Sequence, residues 1–206
     1  MRTDTLDEFL QALAARVPAP GGGASAALHA AQAAALVGMV ARYSDGPKLV
    51  DHAAVVTAVR DDSDACRLRA LDLAEQDTAV FGAVAGAYGL PCSTPREMAA
   101  RSLAIAAALI EAGRVPAHVV ALAERILGLA ERLLPVGSPN VVSDVAAAAE
   151  AARAAASTAR VNVEINLAGI TDAAARTELT AALGGVDDLL TRADKVTAAV
   201  REQILR

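Results

Sequence analysis

Aromatic side chains are almost missing: 2% of the 206 residues, with no tryptophan. A core built on stacked rings is excluded. Cysteine is scarce as well. Cys66 and Cys92 form no CxxC pair, so a disulfide framework is excluded and idle thiols in a reducing cytosol are expected. His29, His52 and His118 are scattered, without the clustered spacing that zinc sites need, so no metal is expected. No block of basic residues stands out and the formal net charge is -5, which argues against a nucleic-acid partner. The opening MRTDTLDEFL has no basic stretch leading into an apolar one, so it does not read as a signal peptide, and a cytoplasmic protein is expected.

What the chain has is alanine, which dominates an apolar share of 54%. Alanine is the strongest helix former, and it fills a core only where backbones approach closely. Residues 21–41 carry no charge if His29 is neutral, a length sufficient to cross a bilayer. Their Ala and Gly content, with few Leu or Val and no aromatic belt, reads better as a helix buried on all sides in a soluble protein, with no membrane partner.

The punctuation divides the chain into helices. Thr3 or Asp4 caps a first helix reaching Arg16, with Leu6, Phe9, Leu10 and Leu13 at helical spacing. A second helix covers about residues 24–44. Pro47 suits a first helical position, and from there to Tyr88 the chain reads as one long helix or two nearly continuous ones. Thr94-Pro95-Arg96-Glu97 is a capping box with proline at the first position, starting a helix to about Gly113. Pro116 then opens another, to about Leu134. After PVGSPN, Asn140 or Ser143 caps a long alanine-rich helix that includes VNVEINL and ends near Asn166 or Ala168. Thr171 or Asp172 caps a short helix to Leu183. A last helix, residues 187–206, carries Leu189, Leu190, Val196, Val200 and Ile204 on one stripe. The expectation is a single all-α domain over residues 1–206: a bundle of six to eight helices with two or three long central ones. Such apolar helices would be covered best in a homodimer.

Three stretches can carry chemistry. Gly21-Gly22-Gly23 precedes a helix whose free N–H groups attract negative charge, which suits a ligand loop, although a glycine triplet also serves simply as a turn. It lacks the GKS or GKT of a P-loop and follows no strand. Asp77 lies four residues before Phe81, on the same helical face. A carboxylate against that apolar wall would hold its proton more tightly and could shuttle protons; at the edge of the stripe it would merely be solvated. In GSPNVVSD, Asn140, Ser143 and Asp144 crowd a helix start. Capping and the helix dipole account for one or two of them.

FLQALAARVPAPGGG, DTAVFGAVAGAYGLP, RVP, GSPNVVSD and RVNVEINL, in this order, resemble the cyclodeaminase/cyclohydrolase family. It includes the C-terminal domain of formimidoyltransferase-cyclodeaminase and stand-alone methenyltetrahydrofolate cyclohydrolases. The likeness runs from about Leu6 to Asp172. It implies an all-helical dimer acting on a tetrahydrofolate derivative, with no cofactor required. Pro20 to Gly23, Asp77, Phe81, Arg101, Pro139, Asn140, Asp144, Asn162 and Asn166 fall on family motif positions. Where the family usually reads GGGS, this chain has Ala24, with Ser25 one residue later as the nearest hydroxyl. Ser138 replaces the first Asn of GNPN, and Glu164 stands where a basic residue is usual.

The activity so implied is at the carbon between N5 and N10, as cyclohydrolase or as cyclodeaminase. The lack of a transferase domain leans towards the former. Asp77 and Asp144 are the expected proton-transfer and cation-stabilising groups. The glycine loop with Ser25, Phe81, Pro139, Asn140, Asn162 and Asn166 would hold the folate, and Arg101 would meet a folate carboxylate or form a helix–helix ion pair. The alternative is a helical module that binds folate or a partner without turnover.

Overall fold

A computed structural model describes residues 2–206. Among them there are seven α-helices and two short 3-10 helices, and no strand. The α-helices are α1 (Leu6–Ala14), α2 (Gly22–Arg42), α3 (Ala53–Tyr88), α4 (Pro95–Leu133), α5 (Val142–Leu167), α6 (Ala173–Leu183) and α7 (Val186–Ile204).

Helix α2 is the centre. It packs against α3, α4 and α5, and twelve of its residues, all Ala, Gly or Val, are buried. Small side chains on several faces let three helices close around it. Helix α5 does the same with Ala148, Ala149, Ala152, Ala155, Ala156 and Ala159, all fully buried. Larger side chains fill the rest of this core: Leu73 from α3, Ile126, Leu127 and Leu133 from α4, Leu189 from α7. A smaller cluster gathers Leu109, Ala117, Val163, Ile170, Ala175 and Leu179 where α6 covers α4 and α5. Both α2 and α4 are long and apolar enough to cross a membrane, but α2 is largely enclosed by its neighbours.

Several boundaries differ from the sequence expectation. Thr5, not Thr3 or Asp4, caps α1, in a box with Glu8. It wins because Glu8 sits three residues on and returns the hydrogen bond. Residues Pro47–His52 form a 3-10 helix before α3 begins. Pro116 lies inside α4, which runs unbroken from Pro95 to Leu133. Packing on α5 and α2 outweighs one missing hydrogen bond. Neither Asn140 nor Ser143 caps α5: a 3-10 turn, Pro139–Val141, leads into it. On α7, Leu189, Val196 and Val200 are buried, while Ile204 stays exposed in the last turn. The capping box at Thr94 and the Asp172 cap of α6 are as expected.

Helices α2 and α5 run antiparallel, which defines two ends of the bundle. At one end the start of α2 meets the end of α5: a Cβ on Gly22 would lie 3.5 Å from Asn162 Nδ2. At the other, the Ser138 N–H donates to Ser44 Oγ at 2.8 Å.

Candidate active site

The glycine end holds a cavity of about 140 Å³ lined by Gly21, Gly22 and Gly23, by Asp77, Val80, Phe81 and Val84 of α3, by Ala112 of α4, and by Asn162, Ile165 and Asn166 of α5, with Pro18 and Ala19 at the lip. Helical periodicity explains the α3 wall. Residues 77, 80, 81 and 84 share one face, so a carboxylate is followed by two valines and a phenylalanine. Residues 162, 165 and 166 do the same on α5.

Gly23 permits the central contact. A Cβ there would lie 2.5 Å from Asp77 Cγ and closer still to Oδ1, so any side chain would displace the carboxylate. Asp77 thereby sits at the start of α2, where backbone N–H groups have no helical partner and the helix dipole is positive. Gly21, the N-cap, offers no side chain to satisfy them. Burial dominates at Asp77 and holds its proton above the ordinary carboxylate range, although the Ala24 N–H draws the carboxyl the other way. Among the described residues Asp77 is the only ionisable side chain in the lining.

The asparagines are held from behind. Asn162 Nδ2 donates to the Thr158 carbonyl at 2.9 Å. Asn166 Nδ2 donates to the carbonyls of Asn162 at 2.7 Å and Ala112 at 3.3 Å.

The structure thus gathers Gly21, Gly22, Gly23, Asp77, Phe81, Asn162 and Asn166 in one cavity. It does not bring the others there. Ser25 is on α2 but outside the lining. Arg101 donates twice to the Tyr88 carbonyl, at 3.2 and 3.0 Å, with its guanidinium 5.8 Å from the Tyr88 ring centre. This contact lies seven residues beyond Phe81, about 10 Å further along α3 at 1.5 Å per residue. Pro139, Asn140 and Asp144 are at the opposite end of the bundle. Asp144 is eighteen residues from Asn162 on the same helix, about 27 Å away. Sequence reasoning passed over Val80, Val84, Ala112 and Ile165. Val80 and Val84 are signalled by helical register with Asp77, and Ile165 by its place on the helix of Asn162 and Asn166; Ala112, on α4, has no such signal.

Comparison with known proteins places this geometry. The profile of the formiminotransferase-cyclodeaminase family matches residues 5–184. The chain belongs to this family. It is 38% identical over 172 residues to methenyltetrahydrofolate cyclohydrolase of Methylorubrum extorquens, covering 83% of each chain. It is 32% identical over 169 residues to formimidoyltransferase-cyclodeaminase of Rattus norvegicus, covering 82% of this chain and 31% of the rat protein. The crystal structure of formiminotetrahydrofolate cyclodeaminase from Thermotoga maritima superposes with a TM-score of 0.87 at 29% identity, covering 100% of this chain and 99% of that one.

The three departures from the family motifs fall outside the cavity lining. Ala24 is fully buried, and it is its backbone N–H that meets Asp77. Ser138 is buried at the far end. Glu164 is exposed on α5, between but not among the lining residues.

Proposed function

We propose that this family member is a folate one-carbon enzyme acting at the carbon between N5 and N10 of tetrahydrofolate, as a methenyltetrahydrofolate cyclohydrolase. The observation that carries this is Asp77: a partly buried carboxylate, the only ionisable side chain among the described residues of a cavity walled by Val80, Phe81 and Val84. The methenyl substrate is an amidinium cation, and a lone carboxylate in an apolar wall favours such a charge. Water adds to the methenyl carbon while Asp77 takes its proton. The tetrahedral carbon then releases N5, which accepts a proton, leaving the formyl group on N10. The 38% identity to a cyclohydrolase of comparable length supports this reading.

Cyclodeamination is the second reading, favoured by the likeness to the Thermotoga maritima cyclodeaminase over the whole chain. There N10 attacks the formimino carbon and ammonia leaves, through a similar tetrahedral carbon. No cofactor is needed for either reaction. Phe81, half exposed at the cavity mouth, offers a face to the aminobenzoyl ring, and Arg101 beyond it suits the glutamate carboxylates.

A soluble cytoplasmic homodimer completes the proposal. The hairpin of α3 and α4 carries Phe81, Tyr88, Met98 and Leu103 exposed at 48, 52, 56 and 73%, a surface that a second copy would cover. The cavity is also small beside the roughly 300–1,000 Å³ of pockets that enclose a whole ligand. Asp144, Pro139 and Asn140 would then serve the site of the other subunit, because within one chain they are too distant from Asp77.

The test is direct. Purified protein should bleach methenyltetrahydrofolate faster than buffer does, whereas ammonia release from the formimino compound would select the deaminase. Binding of folates without either reaction would leave only a binding module. For the shared site, Asp77→Asn and Asp144→Asn proteins, each inactive, are mixed. Activity should return towards about a quarter of wild type, since half of randomly paired dimers are mixed and each restores one of two sites. No recovery after subunit exchange would refute the sharing.

A further inference from the structure

The two asparagines do more than fill a wall. An amide has a donor end and an acceptor end, and here both N–H groups of Asn166 and one of the two on Asn162 are committed. Asn162 Nδ2 faces Thr158 O, and Asn166 Nδ2 faces Asn162 O and Ala112 O. Reversing either amide would set oxygen against carbonyl oxygen, so the orientation is fixed by chemistry. Among the described residues neither Oδ1 accepts a hydrogen bond. With the Asp77 carboxylate opposite, the side-chain groups left for a ligand are mainly acceptors, with one N–H of Asn162 the single donor among them.

The Ala112 carbonyl is available for a specific reason. In an unbroken α-helix it would accept from the N–H of residue 116, and residue 116 is proline, which has none. Pro116 is buried within α4. The vacancy it creates is taken by Asn166, whose amide is thereby turned.

We propose that Asn162 and Asn166 are specificity-determining residues whose side-chain carbonyls receive N–H groups of the pterin ring, and that Pro116 is the positioning residue that orients Asn166. This rests on the folate reading above and adds the direction of binding. The N–H-rich pterin end enters the acceptor wall, and the carboxylate tail, which an acceptor wall repels, points out past Phe81.

The test compares 5,10-methenyltetrahydrofolate with two analogues, one with N8–H replaced by CH2 and one lacking the 2-amino group. Binding constants and kcat are measured on the wild type, Asn166→Leu and Pro116→Ala. The wild type should bind at least one analogue about tenfold more weakly than the parent, the scale of one lost buried hydrogen bond. Asn166→Leu should bring that ratio to within about twofold, the scale of no specific contact. Pro116→Ala restores the helical hydrogen bond to Ala112, so it should melt no lower than the wild type and yet discriminate less. A ratio that is the same in all three proteins, or no discrimination by the wild type, would overturn the proposal. Failure of the wild type to bind even the parent compound would instead overturn the folate reading on which it stands.

Discussion

The two ends of the α2–α5 pair are built from the same alanine-rich helices and treat their polar groups in opposite ways. At the far end Ser44 is completely buried and fully employed: its hydroxyl donates to Val40 O at 2.7 Å and accepts from the Ser138 N–H at 2.8 Å. At the glycine end, among the described residues, Asp77 is partly buried without a basic partner in the cavity, and the two asparagine side-chain carbonyls accept from no protein donor. A fold that spends its polar groups on itself at one end and withholds them at the other is stable at the first and chemically available at the second. Substitutions at Asp77 and at Ser44 should therefore separate activity from stability.

The largest effect should come from Asp77→Asn. Loss of a positioned acid–base group lowers turnover by about 10²–10⁴-fold. The folded state should not suffer. A carboxyl whose proton affinity is raised by burial stabilises least when ionised: its cost is absent below the unfolded pKa and appears as pH rises through the folded one. The neutral amide of the variant escapes that cost, so thermal melting at neutral pH should match or exceed the wild type, and the difference should vanish in acid. A variant that is inactive because it unfolds would erase the contrast between the ends.

Gly23→Ala should come next. The new methyl displaces the Asp77 carboxylate from the start of α2, and a misplaced catalytic group costs on the order of 10²-fold in rate. Circular dichroism should show an intact helical fold, and steady-state kinetics should show the loss mainly in kcat. Unchanged kinetics would mean that the carboxylate position does not matter.

Ser44→Ala should have the smallest effect on rate and act on stability instead. It strands the buried Ser138 N–H, at a cost of about 1–3 kcal/mol. Denaturant unfolding should reveal this, with KM for the folate unaltered. A change in KM would show that the Ser44–Ser138 contact also positions the neighbouring Pro139 and Asn140 for the folate.

The fold was legible where local chemistry was strong: alanine content, the Thr94–Glu97 box and the Asp172 cap. It was misread where tertiary packing overruled local signals. Pro116 looks like a helix start, yet α4 continues through it because packing against α5, α3 and α2 holds it, and Asn166 satisfies the carbonyl it frees. The same limit applies to the site. Asp77 and Phe81 are readable as one face of a helix, and the glycine triplet as a loop. That Asn162 and Asn166 join them depends on α2 and α5 being antiparallel, which no local pattern states. Asp144 and Asn140 were grouped with Asp77 by family motif, whereas one chain holds them at opposite ends. Motif order carries no information about which subunit supplies a residue.

The central claim is that a partly buried, proton-retentive Asp77 is the working group of the glycine end. It is tested most directly by the pH dependence of kcat/KM for methenyltetrahydrofolate hydrolysis, after subtraction of the uncatalysed rate, in the wild type and in Asp77→Asn. As the base is the ionised form, the wild-type profile should rise with pH through an inflection above the ordinary aspartate value of about 3.9, and the residual activity of the variant should lack that inflection. An inflection at or below the ordinary value, or one that survives in Asp77→Asn, would contradict the account.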